Sequence, residues 1–105
     1  MSELKVYHDD GGGVTQRSLE YWKMLRPPEW RIHQVTCRQS GIFTTEVVCF
    51  DKEHNLIVVL LSGMNVGYGG EGPHGLLTLL ESCGIPVTDM VRKYVFERTY
   101  VCFTA

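Results

Sequence analysis

The chain lacks most of the residue patterns that announce a particular chemistry. Its four cysteines, Cys37, Cys49, Cys83 and Cys102, form no CxxC or CxxxC pair, so a zinc ribbon or a dithiol redox motif has no basis. His8, His33, His54 and His74 show neither H-E-x-x-H nor H-x-H spacing, so no metal site is expected. No serine sits in a G-x-S-x-G elbow, and no Gly-Lys-Ser/Thr makes a Walker loop. Positive charge is not in excess. Ten Lys and Arg against twelve Asp and Glu give a formal net charge of −2. That balance argues against a surface dominated by phosphate-backbone contacts, so nucleic acid ranks last among partners. The longest apolar run, Leu56 to Leu61, falls far short of the roughly 20 residues needed to span a bilayer. The N-terminus carries no charged segment followed by a long apolar one, so a cytoplasmic protein is expected. Four thiols kept free and buried in a reducing compartment fit that expectation. No cofactor is expected.

What remains is a globular composition, 44% hydrophobic and 21% charged over 105 residues. A chain of this length makes one domain, residues 1–105, with one core. Leu4 to His8 reads as a short strand whose buried face the alternation leaves open. Asp9-Asp10-Gly11-Gly12-Gly13 follows as a turn or loop. Thr15 or Ser18 is placed to cap a helix running to Leu25, with Leu19 and Trp22 on its apolar stripe. Pro27 and Pro28 end it. Residues 31–39 alternate as a strand, Ser40-Gly41 reads as a hairpin turn, and Ile42 to Phe50 returns as a second strand. Leu56 to Leu61 is apolar on both faces, which places it inside the sheet with cover needed on each side. Leu76, Leu77, Leu79 and Leu80 form the stripe of a helix ended by Gly84. Thr88 either caps a short helix through Lys93 or opens a loop to Val95, and Tyr94 to Thr104 alternates as a terminal strand. The fold expected is α+β: a mostly antiparallel four- or five-stranded sheet with two or three helices on one face.

The densest signal is the stretch from Gly63 to Gly75, GMNVGYGGEGPHG, between an apolar strand and a helix. Its register departs from the dinucleotide fingerprint. Pro73 suits the first helical position, which would leave the N–H groups of His74, Gly75 and Leu76 facing outward. Such a helix start can hold a phosphate or carboxylate. The candidate ligand residues are Asn65, Gly67, Tyr68, Gly69, Gly70, Glu71, Gly72, His74 and Gly75, with Arg31 and Arg98 as cations that could complete an anion site. Tyr68 offers a ring for a base, and Glu71 an acceptor for hydroxyl or amine groups. Three readings follow. The first is a binder of an anionic, nucleotide-like small molecule, working as a homo-oligomer. The second is an enzyme with His74 as acid or base in the same pocket. The third is a protein-interaction or inhibitor module.

Overall fold

A computed structural model describes residues 3–105. Eight elements follow in chain order: β1 (Leu4–His8), α1 (Thr15–Leu25), β2 (Arg31–Arg38), β3 (Thr45–Phe50), β4 (Leu56–Leu61), α2 (Glu71–Ser82), α3 (Asp89–Glu97) and β5 (Tyr100–Thr104). The strands form one sheet in the order β1-β4-β3-β2-β5. β1 lies parallel to β4, and every other neighbouring pair is antiparallel. The α+β architecture expected from the sequence is therefore the one observed, with β2, β3 and β4 as its meander.

One face of the sheet is buried under the helices. Val35, Cys37, Val47, Cys49, Ile57, Val59, Leu61 and Val101 point into that layer and are buried. Against them lie Trp22 from α1, Leu76, Leu79 and Leu80 from α2, and Val95 from α3. Full burial of one such leucine contributes about 1.5–3 kcal/mol. α2 is the middle helix. Thr15 lies against Gly75 at one end, and Trp22 Nε1 donates to Ser82 Oγ at 3.0 Å at the other. α1 and α2 therefore run side by side in the same direction. α2 closes with a Schellman turn: Ile85 N–H donates to Leu80 O, and Gly84 N–H to Glu81 O. Gly84 takes φ +76°, a left-handed position that a side chain would strain.

Several local expectations are corrected. Thr15 and Ser18 do not cap α1. The cap position falls on Val14, and neither hydroxyl bonds the helix amides. Thr15 Oγ1 donates instead to Gly63 O, and Ser18 Oγ to Asp9. β3 begins at Thr45 rather than Ile42, because residues 39–43 are needed to turn the chain. The expected terminal strand is half helix. Thr88 Oγ1 accepts from Val91 N–H at 3.2 Å, and α3 continues past Lys93 to Glu97. Val95, completely buried, settles the competition in favour of helix. Phe96 and Arg98 thus leave the strand, and β5 is only Tyr100–Thr104. Cys37, Cys49 and Cys83 are buried free thiols, whereas Cys102 is exposed. Burial pushes the Cys37 thiol up to about 11 and Cys49 up to about 12. Neither is a nucleophile at neutral pH. Among the described residues, no helix is long and apolar enough to cross a membrane.

Candidate functional site

Because β1 and β4 are parallel neighbours, their carboxyl ends lie side by side. The loop after β1 leads into α1, and the loop after β4 leads into α2. The two glycine-containing loops, 9–14 and 62–70, therefore meet at one end of the sheet. Ser62 and Gly63 interlock them: Gly13 N–H donates to Ser62 Oγ at 3.0 Å, and Gly63 N–H donates to Ser18 Oγ at 2.8 Å. Glycine is required at 63, because a Cβ there would sit 2.5 Å from the Val14 carbonyl carbon and 2.7 Å from Ser18 Oγ.

Asp9 is the staple beneath this junction. It is 5% exposed, and its carboxylate accepts from Gly11 N–H at 3.0 Å, Ser62 N–H at 2.9 Å, Ser62 Oγ at 2.8 Å and Ser18 Oγ. Burial pushes its pKa up. The donors from Ser18, Ser62 and Gly11 outweigh that and hold the carboxyl below its ordinary value. With both oxygens taken by protein donors, Asp9 serves the fold; it holds Gly11 directly and Gly13 through Ser62, while Gly12 N–H donates to Asp10 Oδ1 at 2.9 Å. Asp10 is separate and exposed, paired with Arg17 at 3.1 Å.

Above the staple opens a cleft of about 330 Å³, lined by Gly13, Val14, Thr15, Ser62, Gly63, Asn65, Tyr68, Glu71 and Gly72. Both α1 and α2 begin at its wall. Their cap residues, Val14 and Gly70, are extended and give no side-chain cap hydrogen bond. The first-turn amides of a helix have no partner within the helix. The first turn of α1 holds no acidic residue, and that of α2 holds Glu71. Each helix start carries a partial positive charge of roughly one half. Two of them, parallel and adjacent, converge here. Asn65 Oδ1 is buried in the same wall and has no hydrogen-bond partner.

The helix start differs from the one expected. α2 begins at Glu71, so Pro73 occupies the third helical position rather than the first. His74 N–H bonds Gly70 O at 3.3 Å, and Gly75 and Leu76 lie within the helix. The outward amides belong to Glu71 and Gly72 instead.

The candidate residues divide accordingly. Asn65, Tyr68, Glu71 and Gly72 line the cleft. Gly69 and Gly70 complete the loop beside it, and the Tyr68 ring folds back against Gly70 while remaining 46% exposed. Gly67 turns away, its N–H donating to Val95 O at 2.9 Å. Gly75 packs against Thr15. His74 is exposed on the far side of the first turn, its ring 5.0 Å from that of Phe96. Arg31 pairs with Phe50 at the opposite end of the sheet. Arg98 lies 5.1 Å over the Tyr94 ring, in a separate groove beside β5. His74, Arg31 and Arg98 are thus not brought to the cleft. Gly13, Val14, Thr15, Ser62 and Gly63 were not among the ligand residues expected from sequence, although Asp9–Gly13 repeats the order strand, glycines, helix that marks the later loop. Among the described residues, no three His, Cys, Asp or Glu side chains gather to hold a metal ion. Comparison with known protein families, curated proteins and solved structures finds no match to this chain.

Proposed function

We propose that the protein is a small-molecule binder that holds an anionic, nucleotide-like ligand in this cleft and works as a homo-oligomer. The reading is carried by one observation: two parallel helices begin in the same cleft, and neither has a side-chain cap. Unmet amides and two aligned helix dipoles favour a phosphate or carboxylate there. In a partly buried site, each helix end contributes up to about 2 kcal/mol. The anionic group sits toward α1, because Glu71 at the start of α2 repels it. Glu71 then accepts hydroxyl or amine donors from the rest of the ligand, and Asn65 Oδ1 accepts another. Tyr68 supplies a ring against which a base stacks. A cleft of about 330 Å³ lies at the lower end of the range for small-ligand sites.

The proposed activity is binding, since His74 faces Phe96 rather than the cleft. Titration calorimetry with nucleoside monophosphates, the matching nucleosides and inorganic phosphate tests the reading. Monophosphates bind most tightly, phosphate more weakly, and nucleosides least. Tyr68→Ala erases the difference between monophosphate and phosphate. Absence of heat with every one of these compounds contradicts the proposal.

A further inference from the structure

Among the described residues, no helix or strand covers the sheet face opposite the helices, though the Phe43 ring lies 5.5 Å from that of His8 at one corner, and the side chains of this face form a regular pattern. The registers place Leu4, Leu56 and Phe50 in one row, Val6, Val58 and Val48 in the next, and His8, Leu60 and Glu46 in the third. Seven of these nine positions across β1, β4 and β3 are apolar. The phase of β1 is the telling feature. Leu4 and Val6, 61% and 54% exposed, point to the open face, while Lys5 points to the helix side and pairs with Asp51 at 3.8 Å. A one-residue slip would exchange these sets, so the register is held with the apolar residues outward. The two polar positions are corners of the same row, on either side of Leu60. His8 Nδ1 lies 2.7 Å from Asp9 O, which leaves Nε2 for another partner. Glu46 makes no ion pair among the described residues.

We propose that this face is the interface of a homodimer whose two-fold axis runs along β4. This locates the homo-oligomer part of the reading above and is independent of the ligand. A two-fold along β4 exchanges the β1 and β3 positions within each row. His8 of one copy then faces Glu46 of the other, twice, and Leu4 faces Phe50, while Val6 faces Val48. The face is therefore complementary to itself, as an isologous contact requires. Three strands about 4.8 Å apart, with about 3.3 Å per residue, cover about 250 Å² per copy in projection. A standard interface takes roughly 800 Å² of accessible surface per partner, so this dimer is weak and concentration-dependent.

Sedimentation equilibrium from micromolar to millimolar protein tests the proposal. The mass rises from 11.9 kDa toward twice that value. Val6→Lys, on an exposed edge strand, weakens dimerisation at least about tenfold. His8→Glu and Glu46→His each weaken it, and the double exchange restores it to within about threefold, because the pairing is re-formed in reverse. Circular dichroism confirms that each variant is folded. A monomer at every concentration overturns the interface together with the homo-oligomer reading. A dimer that responds neither to Val6→Lys nor to the exchange overturns the interface alone.

Discussion

The two ends of the α1–α2 pair are finished differently. At the C-terminal end, the protein's own groups close both helices, Arg26 N–H donating to Trp22 O in α1. Arg26 Nη1 donates to Ser82 O at 2.6 Å, and the guanidinium lies 5.6 Å from the Trp22 ring centroid. α2 closes in its Schellman turn, and Pro27 stops the chain beyond α1. A cation thus stands where the dipoles are negative. At the N-terminal end, Val14 and Gly70 occupy the cap positions, and no side chain bonds the amides. α3 shows that this sequence can cap a helix, since Thr88 does so. The open ends face the cleft, and the closed ends face away from it. The uncapped helix starts therefore gather at the cleft with Asn65 Oδ1 unpartnered beside them, whereas at the closed end the buried atom without a partner among the described residues is Arg26 Nε.

The comparison is broken most severely at Asp9. Asp9→Ala leaves Ser18, Ser62 and Gly11 donors buried without an acceptor and costs about 3–4 kcal/mol in chemical denaturation. Because the folded pKa of Asp9 is lowered, its contribution is full above the unfolded value and is lost as pH falls through the folded one. Stability of the wild type therefore declines below about pH 4, and Asp9→Asn flattens that slope. At half-buried Asp51, burial pushes the carboxyl up but the bonds from Asn55 and Glu53 outweigh it and hold it low, which leaves a residue of that slope.

Next in size is the closed end. Arg26→Ala removes the carbonyl bond and the contact with Trp22, and costs about 1–2 kcal/mol without altering ligand affinity. The smallest change is the most informative. Val14→Ser supplies the missing cap to α1 and stabilises the free protein by about 1 kcal/mol. The same hydroxyl competes for the amides proposed to hold the anion, so binding weakens while stability rises. A variant that gains stability and keeps its affinity would detach the α1 amides from the ligand.

Much of the fold was legible because its signals are local. Alternation in residues 31–50, the doubly apolar β4, the leucine stripe of α2 and the glycine beyond it each specify an element within one short window. The misreading at Tyr94–Glu97 arose where two periods compete. Tyr94 and Phe96 alternate like a strand, but Thr88 starts a helix, and Val91 and Val95 share its inner face. The cleft was half legible. Its β4–α2 wall is marked by dense glycine, whereas the β1–α1 wall joins it only through the parallel pairing of β1 with β4, about fifty residues apart. No local pattern reports such a pairing. Arg31 could not be assigned from sequence for the same reason, since its distance from the cleft is set by the direction of β2.

The first-turn amides of α1 and α2 are proposed to hold one ligand between them, its anionic group on the α1 side. Amide chemical-shift mapping during titration with a nucleoside monophosphate tests it most directly. Saturable shifts are expected at Thr15, Gln16, Glu71 and Gly72, with Val91 at the capped start of α3 unmoved. Shifts absent from both open helix starts, or appearing equally at α3, would contradict it.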